Sequence, residues 1–319
     1  MHTTAVLLEQ PRQLRLTRLQ LIEPTAADVV VDIEFSGIST GTERLLYSGR
    51  MPAFPGMGYP LVPGYESVGR VVGAGADSGH AVGDRVFVPG ANCYQPREGQ
   101  PVRGLFGGAA SRVVVAGRRV IPVAEHLREQ AVLLALAATA YHAVAGGGRI
   151  EQPHPPQLIV GHGVLGRLLA RLNIAAGYSD TVVWETNPAR AAGAQGYTVL
   201  HPDDDPRRDY QVVCDVSGDG EILDKLVGRL APGGEIVLAG FYDRLAFDFA
   251  PAFRREARIR VAAEWQRADL LAVQQLMADG LFSLDGLITH RCPYTEATPA
   301  YATAFADVGC LKMVLDWRH

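Results

Sequence analysis

The segment QLIVGHGVLGRLLARLNIAAG, residues 157–177, decides the fold of one part of this chain. QLIV, at 157–160, predicts a short buried strand, and the amphipathic run at the end of the segment predicts a helix. Between them lies a Gly-x-Gly-x-x-Gly pattern at Gly161, Gly163 and Gly166. The first glycine permits a tight turn, the second lets the backbone approach a pyrophosphate, and the third lets helix and strand pack closely. The segment therefore predicts a dinucleotide-binding turn.

The next strand indicates which dinucleotide this turn would bind. TVVWE, at 181–185, ends in Glu185, about 20 residues beyond the glycines, where a carboxylate accepts hydrogen bonds from an adenosine ribose. The same carboxylate repels a 2′-phosphate, so we predict NAD rather than NADP. Arg190 weakens this preference, because a nearby arginine can meet a phosphate. Besides the glycines, the predicted cofactor contacts are Val164, Leu165, Glu185, Arg190 and Ser217.

The composition is that of a soluble globular protein. Its 319 residues, 48% of them hydrophobic, can bury a full core, and the length favours two domains. Lys and Arg number 30 against 34 Asp and Glu, and the net charge of -4 gives no electrostatic reason to bind nucleic acid. The first ten residues lack a basic region followed by an apolar stretch, so we expect no secretory signal and a cytoplasmic protein.

The most apolar stretch, AVLLALAATAYHAVAGGG at 131–148, is interrupted by polar side chains. It also falls short of the roughly 20 residues that a membrane-spanning helix needs. We therefore predict a buried helix and no integral membrane segment. The four cysteines lie far apart and form no Cys-x-x-Cys pair, which argues against a disulfide framework and against a structural zinc site. Reduced, buried thiols are expected.

The organisation of the chain changes twice. Residues 1–124 consist of short Val-, Ile- and Leu-rich strands separated by Gly, Pro and Asp, which is typical of a β-rich domain. In residues 125–279 apolar strands alternate with helical patterns, as in a parallel sheet with helices on both faces. Residues 280–319 return to the first domain. The sequence thus predicts an α/β protein in which a β-rich domain is joined to a doubly wound Rossmann domain.

Two helices and a last strand are predicted from their end signals. DGEILDKLVGRLA, at 219–231, carries apolar residues at helical spacing, and Pro232 and Gly233 are expected to end it. TEATPAYATAFADVG, at 295–309, is predicted to be a helix capped by its last glycine. CLKMVLDW, at 310–317, is the predicted last strand.

This order of parts resembles the medium-chain dehydrogenase/reductase superfamily, whose catalytic domain has the GroES-like fold. The resemblance covers nearly the whole chain. In zinc-dependent members a cysteine takes the place of Ser39 or Thr40 in GISTGTE, a histidine takes that of Tyr65 in PGYESVG, and the third ligand would fall near Ala135. Catalytic zinc normally needs three protein ligands. The resemblance therefore implies a zinc-free member with no bound metal.

A closer resemblance connects the chain with the zinc-free dehydrogenases of bacteriochlorophyll biosynthesis. The segments that carry it are SGISTGTE, VPGYESVG, VGHGVLGRLLARL, CDVSGDGEILDKL, GGEIVLAGFY and CLKMVLDW. The resemblance implies that the 3-(1-hydroxyethyl) group of a bacteriochlorophyllide or chlorophyllide is oxidised to 3-acetyl, with hydride passing to NAD. The implied partner is a small tetrapyrrole pigment precursor, and any contact with the photosynthetic membrane would be peripheral.

A zinc-free site must stabilise the developing alkoxide by hydrogen bonds and a proton relay. We expect Tyr65 to hold the substrate oxygen, Ser39 and Thr40 to relay the proton, and Glu66 to orient them. Histidine is the side-chain type that exchanges protons near neutral pH, and His142 is a further candidate. Each has an alternative role: Tyr65 as a filler of the space that a histidine left, Glu66 as a structural bridge between loops, and His142 as a packed core histidine.

The run YSGRMPAFPGMGYPLVP, at 47–63, is too apolar for plain exposure to solvent. Adaptable methionines and flat aromatic rings suit a large planar ligand. The predicted substrate contacts are Met51, Phe54, Met57 and Tyr59. The alternative is a loop packed on its own domain or on a dimer partner.

Two other functions stay open on the sequence. The first is a zinc-free, NADPH-dependent quinone or enoyl reductase of the same superfamily, against which Glu185 argues. The second is a non-catalytic nucleotide-binding pigment carrier that has lost its chemistry with its zinc. Whatever the function, edge-strand pairing of dinucleotide-binding domains makes a homodimer the expected assembly.

Overall fold

The computed structural model describes residues 1–104, 106–145, 154–242 and 244–318. Its strands are β1 (His2–Gln10), β2 (Gln13–Gln20), β3 (Asp28–Ile38), β4 (Ser67–Ala74), β5 (Arg85–Val88), β6 (Arg112–Ala116), β7 (Ile121–Pro122), β8 (Leu158–Val160), β9 (Val182–Trp184), β10 (Thr198–Leu200), β11 (Tyr210–Asp215), β12 (Leu230–Leu238), β13 (Arg258–Val261), β14 (His290–Pro293) and β15 (Met313–Asp316). Its α-helices are α1 (Thr42–Ser48), α2 (Leu134–Ala145), α3 (Val164–Ala175), α4 (Pro188–Ala191), α5 (Leu223–Val227), α6 (Phe249–Arg254), α7 (Arg267–Ala278) and α8 (Ala297–Ala306).

The chain divides into two compact units. Unit 1 comprises residues 1–134 and 285–319, and unit 2 comprises residues 135–284. The domain limits predicted from the sequence, at 124/125 and 279/280, stay our proposal for the functional domains.

Unit 2 contains a six-stranded sheet in the order β10-β9-β8-β11-β12-β13. All five strand pairs are parallel. Counted within the sheet this order is 3-2-1-4-5-6, that of the Rossmann fold, and it reverses between β8 and β11. Ligands of such sheets bind outside the carboxyl ends of the strands at this reversal. The loops after β8 and β11 therefore flank the expected nucleotide crevice.

In the glycine turn after β8, backbone conformation and steric contacts account for two of the three glycines. Gly161 has φ +108°, in the left-handed region that side chains rarely adopt. A Cβ on Gly166 would collide with the carbonyl oxygen of Gly161, so α3 could not lie so close to the turn. A Cβ on Gly163 would meet open space, since apart from its chain neighbours no atom of the described residues lies within 4 Å of it.

Unit 1 contains a seven-stranded sheet built around β3. The main order is β14-β15-β3-β4-β5-β7, and β6 pairs with β3 as well. β3 therefore pairs with β15, β4 and β6, all antiparallel. Val29, Val30, Val31, Ile33 and all of residues 35–38 are buried, as expected for a central strand. The late strand β15 is thus paired with β3 of the first part of the chain, while β1 and β2 form a separate two-stranded sheet.

Two of the predicted element ends are wrong. The helix predicted at 219–231 is only α5, Leu223–Val227, and β12 already begins at Leu230. Pro232 and Gly233 do not end a helix, because they lie where the β11–β12 register slips and β12 bulges. Gly309 does not cap α8, because the helix ends at Ala306 and Asp307 is already extended.

The buried helix predicted at 131–148 is confirmed over residues 134–145, as α2, while Gly146–Gly148 lie outside the described residues. None of the helices in the described ranges combines the length and apolar character needed to cross a membrane. No disulfide joins the cysteines in this part of the chain, and three of the four are buried: Cys93, Cys214 and Cys310.

We expect Gly166→Ala to destabilise unit 2, because the added methyl group would push α3 away from β8. Overpacking of this kind costs about 1–3 kcal/mol, which thermal unfolding would register as a loss of several degrees in Tm. Gly163→Ala is the matched control, since its methyl group would enter open space, and its Tm should stay near that of the wild type. Equal Tm values for the two variants would contradict this account of the turn.

Candidate active site

Two hydroxyl groups predicted to act together are in contact in unit 1. Ser39 follows the end of β3 and is buried, and its Oγ lies 2.7 Å from Oη of Tyr65. The antiparallel pairing of Ser36 with Ser67 brings the end of β3 beside the segment that leads into β4. This register places Ser39 and Tyr65 together.

The third hydroxyl at this point belongs to Thr42, which the sequence analysis missed. Tyr65 Oη donates to Thr42 Oγ1 at 3.4 Å. In the hydrogen bonds of the described residues, Tyr65 has Ser39 and Thr42 as partners and not Thr40. Burial, together with the negative charge of Glu66, raises the pKa of Tyr65, so the phenol is protonated at neutral pH. The cluster can donate and accept hydrogen bonds at one point.

Glu66 lies in a buried ion pair with Lys312, another residue that the sequence analysis missed. The side chains are 0% and 1% exposed, and Lys312 Nζ lies 2.5 Å from Glu66 Oε2. Lys312 Nζ also donates to the carbonyl oxygen of Ile38 at 3.3 Å. Burial raises the pKa of Glu66, and the lysine charge opposes this shift. These contacts join three strands beneath Tyr65, as the structural alternative for Glu66 requires.

A second buried carboxyl group, that of Glu43 in α1, contacts the same turn. Its Oε1 accepts from the backbone N–H of Ser39 at 3.3 Å, and its Oε2 lies 2.7 Å from the hydroxyl of Tyr301 in α8. Burial raises its pKa to about 8, with smaller contributions that include the Tyr301 hydrogen bond and the charges of Glu66 and Lys312. Neither Glu43 nor Tyr301 was predicted as a site residue.

The nucleotide crevice of unit 2 has open space where a pyrophosphate would need it. Gly163 precedes α3 with φ −76°, a conformation open to any residue, and a Cβ there would contact no other side chain or loop of the described residues. The fold itself therefore does not require glycine at 163. The first N–H groups of a helix have no partner within the helix, and in α3 these include the N–H groups of Val164 and Leu165. This geometry fits an anionic phosphate.

Glu185 lies at the end of β9, where its carboxylate is held by backbone. Oε2 accepts from the N–H of His162 at 3.2 Å, and Oε1 accepts from the N–H of Asn187 at 2.8 Å. The carboxylate therefore has a fixed position beside the glycine turn. It is half-buried, so part of its surface can still meet a ligand.

The buried ring of His162 fastens the segment that follows Glu185. Nδ1 lies 2.6 Å from the carbonyl oxygen of Arg190, to which it must donate, and Nε2 lies 2.9 Å from the hydroxyl of Tyr197. Burial lowers the pKa of His162, which favours the neutral ring that this pair of bonds needs. Arg167 also donates to the Arg190 carbonyl. The backbone at Arg190 is thus anchored next to the crevice.

Ser217 follows β11 on the other side of the crevice and is exposed. A Cβ on Gly161 would lie 3.4 Å from Ser217 Cα, so the two loops pass close together. The N–H of Ser217 donates to Asp215 Oδ1 at 3.0 Å, and Tyr242 Oη donates to Asp215 Oδ2 at 2.6 Å. The glycine turn therefore lies next to both Glu185 and the loop that carries Ser217.

His142 lies in unit 2 and is buried with a partner of its own. Its Nδ1 lies 2.8 Å from Oδ2 of Asp269, which also accepts from the backbone N–H of Gln266 at the start of α7. This contact links α2 to α7 and accounts for the burial of the histidine. Its catalytic role stays a prediction.

The apolar segment at 47–63 is largely packed on unit 1. Met51 is buried in a cluster with Leu46, and Met57 packs against the edge of that cluster. Tyr59 Oη donates to the carbonyl oxygen of Leu46 at 2.6 Å. Phe54, in contrast, is 37% exposed. Of the four predicted substrate contacts, Phe54 therefore has the most accessible side chain.

No group of three His, Cys, Asp or Glu side chains that could hold a metal ion occurs within residues 1–104, 106–145, 154–242 and 244–318. At two of the positions where the superfamily resemblance places zinc ligands, the described structure has the Ser39–Tyr65 hydroxyl pair instead.

Comparison with known proteins decides the family. Residues 25–125 match the alcohol dehydrogenase GroES-like domain. The chain is 57% identical over 319 residues to the 2-desacetyl-2-hydroxyethyl bacteriochlorophyllide A dehydrogenase of Cereibacter sphaeroides, covering 100% of this chain and 99% of that protein. It belongs to this dehydrogenase family. The protein of the same name from Rhodobacter capsulatus is 55% identical over 319 residues, which cover 100% of this chain and 99% of that protein.

Solved structures agree on the fold of this bacteriochlorophyllide dehydrogenase family member. The rspB alcohol dehydrogenase of E. coli CFT073, solved with NADH, matches with a TM-score of 0.80 at 22% identity and 99% coverage of both chains. The 2R,3R-butanediol dehydrogenase of Bacillus subtilis matches with a TM-score of 0.82 at 21% identity, covering 98% of this chain and 99% of that one. The predicted superfamily, the GroES-like plus Rossmann fold class and the oxidoreductase class are confirmed.

We expect Lys312→Met to destabilise unit 1 by about 3–5 kcal/mol, because it leaves the Glu66 carboxylate buried without its partner. The double variant Glu66→Gln/Lys312→Met removes both charges and should recover much of that loss. Urea unfolding of the wild type, the single variant and the double variant measures the difference. A double variant as unstable as Lys312→Met would show that the pair's charges do not matter for stability.

Proposed function

We propose that this protein oxidises the 3-(1-hydroxyethyl) group of a bacteriochlorophyllide to a 3-acetyl group, with NAD as hydride acceptor and without catalytic zinc. The identity to two dehydrogenases named for such a substrate supports the reaction. The observation that carries the zinc-free mechanism is the 2.7 Å contact between Ser39 Oγ and Tyr65 Oη. Two hydroxyl groups meet where a metal-dependent relative would have a thiolate and an imidazole.

In this proposal the hydroxyl cluster binds the substrate oxygen and relays its proton to water, which can reach the part-exposed Tyr65 and Thr42. Tyr65 Oη is protonated and already hydrogen-bonded to Ser39, so a hydroxyl placed against it enters an existing chain of proton donors and acceptors. Thr42 extends that chain by one member. Thr40 and His142 are kept as further relay candidates, although their described contacts do not include Tyr65.

The crevice of unit 2 is proposed to hold NAD. Gly161, Gly163 and Gly166, with the first turn of α3, would accommodate the pyrophosphate, and Ser217 would line the opposite side. Glu185 would bind the adenosine ribose hydroxyls and would repel a 2′-phosphate. Arg190 has its backbone anchored by His162 and Arg167. When bound, NAD supplies the acceptor for the hydride.

Assembly and location extend the proposal. β13 lies at the edge of the unit 2 sheet, and its Val261 side chain is 72% exposed. An exposed edge strand with an apolar side chain invites pairing with another strand, which supports a homodimer. We place the protein in the cytoplasm, where its apolar substrate would bring it into peripheral contact with the photosynthetic membrane.

The test of the reaction is an absorption spectrum of EDTA-treated protein mixed with a 3-hydroxyethyl bacteriochlorophyllide and either NAD or NADP. Conjugation of a new acetyl carbonyl with the ring should shift the long-wavelength band to the red. We expect the shift with NAD, and we expect chelation not to abolish it. No shift with either nucleotide, in folded protein that binds NADH, would refute the proposed reaction, and a shift only with NADP would refute the cofactor assignment.

Tyr65→Phe and Ser39→Ala should each lower kcat by about 100-fold or more, because each removes a member of the proton relay. Tyr178→Phe is the matched control, since Tyr178 is 50% exposed on unit 2, and it should keep wild-type turnover. Steady-state rates together with NADH affinity separate a chemical defect from loss of the cofactor. Unchanged turnover in both site variants would refute the proposed proton relay.

A further inference from the structure

Three buried ionisable groups lie around the turn that carries Ser39. Glu43, Glu66 and Lys312 are each no more than 1% exposed. They offer two carboxyl groups but one ammonium group, and a buried carboxylate without a partner is costly. Lys312 contacts Glu66 directly, at 2.5 Å, and not Glu43. One proton on Glu43 would leave this group of three without net charge.

Glu43 is also placed to control the hydroxyl pair. Oε1 accepts from the N–H of Ser39, so the carboxyl group fixes the backbone of the residue whose Oγ contacts Tyr65. Oε2 is tied to the hydroxyl of Tyr301, 258 residues along the chain, which holds the carboxyl group in place. A protonated Glu43 can keep both contacts. Its Oε2 then carries the hydrogen and can still form a hydrogen bond with the Tyr301 hydroxyl, while Oε1 accepts from the N–H of Ser39.

We propose that Glu43 is a positioning residue that carries one proton at neutral pH, and that this proton keeps a second negative charge away from the substrate oxygen while the Ser39–Tyr65 pair relays the substrate proton to water. The inference rests on the proposed function. Loss of the proton would add a second negative charge near Tyr65, which already lies beside Glu66. Both carboxylates oppose charge on the Tyr65 oxygen, and they would oppose a neighbouring alkoxide for the same Coulombic reason.

The groups that face Glu43 set the direction of the pH effect. Burial and the charge of Glu66 favour its neutral form, whereas the Tyr301 hydroxyl, the Ser39 N–H and the charge of Lys312 favour its ionised form. Burial dominates and raises the pKa to about 8. Glu43 is therefore protonated below that pH and ionised above it. Turnover should fall as pH rises through 8, although alcohol oxidation itself releases a proton and is favoured by high pH.

The experiment compares kcat of the wild type and of Glu43→Gln from pH 6 to pH 10. For a single proton with a pKa of about 8, the wild type should lose about 10-fold between pH 7 and pH 9, and the fold-loss should be under about 2 in Glu43→Gln, whose amide cannot ionise. Glu23→Gln, at a side chain that is 82% exposed, is the matched control and should keep the wild-type loss. The same 10-fold loss in Glu43→Gln would overturn the proposal.

A second readout needs no substrate. The carbonyl band of a protonated carboxylic acid, measured by infrared difference spectroscopy, should disappear from the wild type as pH is raised through 8. It should be missing from Glu43→Gln. Tyr301→Phe should move the midpoint upward, because it removes a hydrogen bond that lowers the pKa of Glu43, and this variant serves if Glu43→Gln does not fold.

The two readouts separate the possible failures. An infrared band that titrates as expected, with no turnover at any pH, would overturn the proposed reaction and with it the catalytic role, while the buried proton itself would stand. Turnover without a titrating band near pH 8, or a Tyr301→Phe midpoint that does not move upward, would overturn the assignment to Glu43 and leave the reaction intact.

Discussion

The buried contact between Lys312 and Glu66 is the interaction on which unit 1 depends. The lysine lies immediately before β15, the glutamate immediately before β4, and the Ile38 carbonyl that the lysine also binds ends β3. One ammonium group therefore joins three strands where the hydroxyl cluster begins. Two residues so fully withdrawn from water must satisfy each other, because neither can recover its hydration elsewhere. The position of Tyr65, next in sequence to Glu66, follows from this contact.

Much of the fold could be predicted from local pattern because the strongest signals combine sterics with periodicity. The strand, glycine turn and helix at 157–177 had a single consistent interpretation, and Gly166 shows the reason, since a side chain there would meet the Gly161 carbonyl. The element ends were harder. Pro232 and Gly233 are ordinary helix stop signals, yet they occupy a bulge whose existence depends on the register with β11. A window of sequence contains no information on that register.

The residues of the candidate site also fall into those that the sequence could predict and those that it could not. Ser39 and Tyr65 could be predicted because each occupies a position that the superfamily resemblance singles out, and the register of β3 with β4 brings them together. Glu43 and Lys312 could not, because their significance depends on partners 258 and 246 residues away. Thr42 was missed in favour of Thr40 because the choice depends on how the turn leads into α1. Spacing alone does not distinguish two threonines so close together.

Unit 1 is discontinuous in sequence, and this has a consequence for synthesis. Residues 1–134 leave the ribosome long before residue 312, with the whole of unit 2 translated in between. Until Lys312 has been synthesised, the Glu66 carboxylate has no cation with which to form its buried ion pair. The edge of β3 that pairs with β15 is likewise unpaired. Unit 2 is a contiguous segment and can fold first. A nascent chain would therefore have a folded unit 2 before Lys312, and with it the support of the hydroxyl cluster, has been synthesised.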